Sequence, residues 1–270
     1  MDQSERLAEV READATGRTA EIYAAFRAAT GLPLVNLVWR HMAAGPGVLE
    51  WAWASLAPAF SSGALNAAAR RACAEIADAG LGVAHDIDRE ALAAAVTVFA
   101  VYNQSNPINL VALQVLVRLL AGETQASPAA GTPAAPPPDV RLPEFAGEID
   151  DRTARRMDAL ARLINGREAA LMPTVLRHLA RWPALLDALQ QPIEAFVQTG
   201  AVDEGAADLL ARAAAEAASM PVGAVVGGRP SPEISQSLDA AIRTFLPSIA
   251  RMVVIGHALA PALASASEAR

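Results

Sequence analysis

The pair Arg40-His41 recurs as Arg177-His178, 137 residues further on, and this offset constrains the fold more than any other feature of the chain. The same offset pairs Ala43 with Ala180, Pro46 with Pro183, Leu49 with Leu186 and Gly63 with Gly200, and it brings Phe60 against Phe196-Val197. Arg, His, Pro and Gly are not the abundant residues of this alanine-rich chain. Agreement at one offset without a gap therefore points to a duplicated unit rather than to composition. The two pieces that carry the matches read GLPLVNLVWRHMAAGPGVLEWAWASLAPAF and REAALMPTVLRHLARWPALLDALQQPIEAF.

The repeated unit reads as helical. Hydrophobic residues make up 53% of the chain and aromatics only 4%; with alanine common and β-branched clusters scarce, close-packed helices are favoured over strands. Pro33 and Pro173 suit first turns, while Gly45-Pro46 and Trp182-Pro183 mark breaks followed by new helices. Helices are expected near 18–29, 33–44, 46–57, 64–79, 87–102 and 107–121, the later ones delimited by Gly80, the cap candidates Asp86 and Asp88, and Asn106-Pro107. The second half repeats the plan near 151–164, 173–181, 183–198, 202–218, 232–245 and 247–265. Between them, residues 124–141 read TQASPAAGTPAAPPPDVR, where proline removes backbone donors and small residues bury little, so this stretch reads as a linker. The expectation is an all-α chain of two tandem helical repeats, 1–123 and 142–270, packed as an intramolecular pseudo-dimer with a pocket between the halves.

A net charge of -7 and a pI near 5.2, with no basic run, argue against a nucleic-acid partner. The mean hydropathy of +0.25 is assigned to a buried core rather than to a membrane, because Arg, His, Pro and Gly interrupt the apolar stretches before the roughly 18 to 20 residues that a span requires. The opening residues mix Asp2, Glu5, Arg6, Glu9 and Arg11, unlike the basic start and apolar run of an export signal. Cys73 is the sole cysteine, which excludes an intrachain disulfide. A cytoplasmic location follows as the expectation, with a small-molecule ligand or substrate as the partner and a homodimer as an open possibility.

Phosphate-binding glycine loops, HExxH, CxxC and nucleophile elbows are absent. The histidines are His41, His85, His178 and His257. His41 and His178 are repeat mates inside apolar helices, readable as a symmetric functional pair or as hydrogen-bonded helix residues. No carboxylate or third histidine lies at helical spacing from either, so neither a metal nor another cofactor is expected. The segment from Tyr102 to Asn109 is rich in amides (Asn103, Gln104, Asn106, Asn109), whereas its counterpart around Phe245 to Ala250 is apolar. Amides can hold a carboxylate or carbonyl without changing the charge, and Asn106 before Pro107 is expected in an extended conformation that frees its side chain. An ordinary turn between helices explains the same letters. Asn36, Ser62 and Asn66 are further candidates to face an inter-repeat pocket, or else caps. The paired Arg40 and Arg177 are expected to bridge helix ends or carboxylates of the opposite copy.

The run from Ile22 to Phe60, then YNQSNPINL, a proline-bearing linker, LARWPALL and a late VVIGHALA together resemble the group I 2-haloacid dehalogenases, which act on both enantiomers. The resemblance covers most of the chain and implies an all-helical, two-repeat protein with its active site between the repeats. In that family an aspartate at the start of the helix preceding the Trp-Pro pair activates a water without forming a covalent ester. The resemblance puts that position at Val175, with Thr174 before it. It puts the family's pocket asparagine at Asn106, the pocket aromatics at Leu34 and Leu37, and an acidic residue at Asn66.

Valine cannot take a proton, and residues 172–179 contain no acid, which leaves His178 as the one candidate base there. Three readings stay open. The first is a divergent, hydrolase-like enzyme acting on a small organic acid, with His178 or His41 as base and Asn106 as holder; its other pocket residues are Leu34, Asn36, Leu37, Ser62, Asn66, Asn103, Thr174 and Val175. The second is a non-catalytic protein that binds an apolar ligand in a cavity lined by Leu34, Leu37 and Val175. The third is a true dehalogenase with a different base.

Overall fold

Alanine and leucine at helical spacing, punctuated by glycine and proline, give the expected all-α fold in a computed structural model that describes residues 7–76, 79–83, 87–123, 142, 149–166, 171–220 and 230–268. Among these residues there is no strand. Ten α-helices follow one another: α1 (Gly17–Thr30), α2 (Leu37–Met42), α3 (Val48–Ser61), α4 (Ala64–Cys73), α5 (Arg89–Leu120), α6 (Asp151–Asn165), α7 (Thr174–Leu179), α8 (Pro183–Gln198), α9 (Ala201–Ser219) and α10 (Pro232–Glu268). A 3-10 turn at Glu12–Asp14 precedes α1 and was not expected. The proposed linker, His85 and Asp86 lie outside the described residues.

Several boundaries have visible causes. α2 and α7 begin 137 residues apart, as do α4 and α9. The last two each follow a glycine in left-handed backbone, Gly63 at φ 73° and Gly200 at φ 82°. Only glycine takes that conformation without strain, which accounts for the match between them. Asp88 and Asp150 cap α5 and α6 by accepting from the N–H groups of Ala91 and Thr153. α2 is shorter than the expected 33–44, since Leu32 to Asn36 run outside the helix.

The main correction concerns proline. Breaks were expected at Asn106-Pro107 and before Pro247, yet α5 and α10 run through both positions as single helices of 32 and 37 residues. Asn106 is consequently helical rather than extended. A proline inside a helix forfeits one hydrogen bond and crowds the carbonyl four residues back. Here Ser105 to Ala112 and Ser248 to Arg251 are buried on every side, so packing holds the helix where isolated propensity would end it. The apolar stretch of α10 is therefore not interrupted as anticipated. By length and composition it could cross a membrane, but 61% of its most apolar window is buried inside the protein.

α5 and α10 form the centre and make the most extensive helix–helix contact among the described residues. α4 and α9 flank them, α2 leans on α10, and α7 leans on α5. The central crossing depends on Gly256. A β-carbon there would sit inside the van der Waals radius of Asn103 Oδ1, while Asn103 Nδ2 donates to the Gly256 carbonyl at 2.9 Å. Arg251, 7% exposed, ties α10 to α6 by donating Nε to Ile164 O (2.7 Å) and Nη2 to Leu163 O (3.0 Å), and its third arm reaches Asp203. Those carbonyls end α6, where a cation also meets the negative end of the helix dipole.

Gly256→Ala should lower stability by about 1–3 kcal/mol, read as a lower urea midpoint at unchanged slope. Gly205→Ala, where only the Val254 methyls must yield, should cost distinctly less.

Candidate functional site

Thr174, Arg177 and His178 stand at i, i+3 and i+4 of α7 and so share one face. Leu37, Arg40 and His41 do the same on α2. Because α7 packs on α5, its polar face meets Tyr102, and two cavities open there with Tyr102 and Thr174 in the walls of both.

The larger cavity, about 770 Å³, is bounded by Leu34, Val35, Arg40, Tyr102, Thr174, Arg177 and His178, together with Glu9, Arg11 and Glu12 from the N-terminal segment. Its electrostatic centre is Glu9. One carboxylate oxygen accepts from Arg177 Nη1 at 2.7 Å, and the other lies 3.0 Å from Arg40 Nε, an ion pair without hydrogen-bond alignment. Arg40 also donates Nη2 to Thr174 Oγ1 at 3.2 Å. The two arginines of the repeated Arg-His pair thus share one carboxylate. The side chains of Glu9 and Arg40 are only 10% and 12% exposed, so solvent screens this pair weakly.

The segment that supplies Glu9 is fixed by further bonds. Val10 N donates to Arg40 O at 2.9 Å, and Tyr23 donates its hydroxyl to Val10 O at 2.9 Å. Burial pushes the Tyr23 hydroxyl above its ordinary range, against the neighbouring Arg40 charge, so it stays a donor. Glu12 accepts from Val35 N at 2.8 Å and from Arg27 at 2.5 Å. His41 Nδ1 lies 2.8 Å from Ala8 O.

The smaller cavity, about 30 Å³, has room for one or two waters. Asn36, Leu37, Tyr102, Asn106, Asn109, Thr174 and Ser248 are among its walls. Asn36 Nδ2 donates to Ser105 Oγ at 3.0 Å and to Asn106 Oδ1 at 3.3 Å. Asn109, 3% exposed, accepts from Trp39 Nε1 at 2.7 Å, and its own Nδ2 has no partner. None of the lining residues is an acid or a histidine. Burial raises the fully enclosed Tyr102 hydroxyl far above its ordinary range despite the Arg40 charge, so it keeps its proton at neutral pH and offers a hydrogen bond rather than a base. This cavity can orient a group but cannot take its proton.

Three neighbours in solved structures share this architecture. A D-2-haloacid dehalogenase mutant with D-2-CPA matches at TM-score 0.75 and 16% identity, a second D-2-haloacid dehalogenase mutant at 0.76 and 17%, and a D-2-haloacid dehalogenase with L-LA at 0.75 and 17%. In each case 96% of this chain and 96% of the other are covered. No protein-family model matches the chain, and no curated protein matches it by sequence. This chain has the fold of the D-2-haloacid dehalogenases.

The residues singled out from sequence divide across this fold. Leu34 and His178 line the larger cavity, Asn36, Leu37 and Asn106 the smaller, and Thr174 both. Val175 is 4% exposed and lines neither. His41 also lines neither: its ring packs at a tilt against Phe245 and its Nδ1 is engaged with Ala8. Ser62 turns back on the Ala59 carbonyl at 3.3 Å. Asn66 and Asn103 line a third cavity elsewhere on α5. Among the described residues no three His, Cys, Asp or Glu side chains come together as a metal site. Sequence reasoning missed Glu9, Arg11 and Glu12. The available signal was that two arginines in apolar helices require a counterion.

Glu9→Ala leaves Arg40 buried without its carboxylate and should cost about 3–5 kcal/mol in chemical denaturation. Glu9→Gln keeps the shape and should cost less, and the gap between the two variants should persist in high salt.

Proposed function

We propose that this protein binds a small organic acid in the larger cavity between α2, α5 and α7, and acts on it with His178 as the proton-accepting group. The observation that carries this reading is the convergence of Arg40, Arg177, Thr174, Tyr102 and His178 on that one cavity. Arg177 presents five N–H donors, and one of them goes to Glu9, so the guanidinium retains directions in which to receive a ligand carboxylate. His178 lies one helical turn after Thr174 and beside the Tyr102 ring, whose centroid is 5.9 Å away. The names of the fold neighbours, acting on 2-haloacids, support a small acid as the ligand class.

We further infer that residues 1–123 and 142–270 are copies of one helical unit arranged as a pseudo-dimer. The 137-residue spacing of helix starts and the crosswise packing of α2 on α10 and α7 on α5 support this. Hydrolytic dehalogenation of the family type is not expected. The position matched to the water-activating aspartate is Val175, in the core, and the adjoining Thr174 hydroxyl is no base. General-base assistance is worth about 10²- to 10⁴-fold, and His178 is the group placed to give it. The convergent polar wall also disfavours the apolar-ligand reading, for which a dry cavity would be required.

Calorimetry with racemic 2-chloropropionate and with lactate tests the binding step. Both should bind, and Arg177→Met should weaken them about tenfold or more, as expected for a lost charge-assisted bond. Halide release from 2-chloropropionate should stay at the uncatalysed level. Absence of any carboxylate binding would overturn the proposal. Halide release that survives His178→Asn would instead show a dehalogenase using another base.

A further inference from the structure

The amides of α5 point to two sides of the helix. Tyr102, Asn106 and Asn109 face the candidate site, whereas Asn103, Gln104 and Pro107 border a third cavity of about 320 Å³ that this reading leaves without a role. Its other polar walls are Asn66 and Arg70 from α4 and His257 from α10, with Cys73 beside them.

The inner polar groups of this cavity are hydrogen-bond acceptors. Asn66 is 6% exposed and its Oδ1 has no partner, an omission that is costly unless a ligand or water completes it. His257 Nδ1 lies 2.8 Å from the Val253 carbonyl, which can only accept, so Nδ1 carries the proton. Burial holds the ring below the ordinary histidine range and keeps it neutral, leaving Nε2 with a lone pair. The Asn103 amide is already committed to Gly256, and Pro107 has no N–H to offer the Asn103 carbonyl four residues back. Side-chain donors appear instead on two exposed residues, Arg70 and Gln104.

This distribution selects a ligand. No carboxylate lines the cavity, so a cation would meet Arg70 uncompensated, and an anion would face lone pairs at the floor. A neutral group with two donors at one end and an acceptor at the other fits both. We propose that the cavity between α4, α5 and α10 binds a small primary carboxamide, its NH₂ donating to Asn66 Oδ1 and His257 Nε2 and its carbonyl accepting from Gln104 or Arg70. The proposal is independent of the acid site.

Cys73, the only cysteine, serves as the reporter. Its thiol is pushed up to about 11 by burial, so labelling with methyl methanethiosulfonate at mildly alkaline pH will be slow enough to time by mass spectrometry. Propionamide should slow the reaction about fivefold or more, whereas N,N-dimethylpropionamide, similar in shape but without N–H, and propionate should not. Asn66→Leu should abolish the protection while leaving the melting temperature equal or higher, since it removes an unsatisfied acceptor. A merely structural Asn66 would give a lower melting temperature. Equal protection by the dimethyl amide, no protection by propionamide, or protection that survives in Asn66→Leu would each overturn the proposal. The comparison of the three probes on the unaltered protein decides the matter even if the variant fails to fold.

Discussion

The rest of the structure depends on how closely α5 can approach α10. These two helices supply more of the buried core than any other pair of helices, and they meet where Gly256 has no side chain and Asn103 takes the space with an amide bonded to the glycine carbonyl. A polar contact at the heart of an apolar interface is stabilising only when it is satisfied, and this one fixes register as well as distance. Once the crossing is set, α2 lies chiefly on α10 and α7 chiefly on α5. The cavities are the spaces that these short helices do not fill.

A second constraint is electrostatic. Arg40 and Arg177 are carried into a poorly screened region by helices whose other faces are apolar, and two like charges there would repel unless an anion lay between them. Glu9 is that anion. Its placement explains why the segment ahead of α1 adopts a defined path, tied down at Ala8, Val10 and Glu12. In the proposed function the same carboxylate sets the affinity: a ligand acid must find donors on Arg177 that Glu9 leaves over, or share the pair with it.

The helical class and several boundaries could be read from the sequence because glycine and proline act locally. Gly63 and Gly200 mark the starts of α4 and α9 through a backbone conformation that does not depend on the rest of the chain. Pro107 and Pro247 misled for the opposite reason. Whether a proline ends a helix or merely costs it one bond depends on how the residues around it are packed, and that packing comes from helices distant along the chain. The site was legible in part for the same reason. Thr174, Arg177 and His178 share a face by arithmetic, but that His41 would turn to Ala8 while His178 lines a cavity depends on a segment whose docking no local rule supplies. The amides of Tyr102–Asn109 read as one cluster along the chain, and the continuous helix divides them between two sites.

The proposed duplication also bears on why those amides are confined to α5. A pocket on a two-fold axis presents the same groups from both sides, while a small acid is charged at one end only. Equivalent walls would leave half of the polar groups unpaired against the ligand's apolar end, at a cost comparable to the bonds formed at the other. The smaller cavity avoids this: Thr174 stands 137 positions after Leu37, and Asn109 and Tyr102 from α5 line it together with Phe245, Ile249 and Met252 from α10. The larger cavity follows the same logic in charge, since His178 lines it and its mate His41 is bound elsewhere. If the proposed duplication supplies the scaffold, a directional site on it requires that the two copies diverge where they meet.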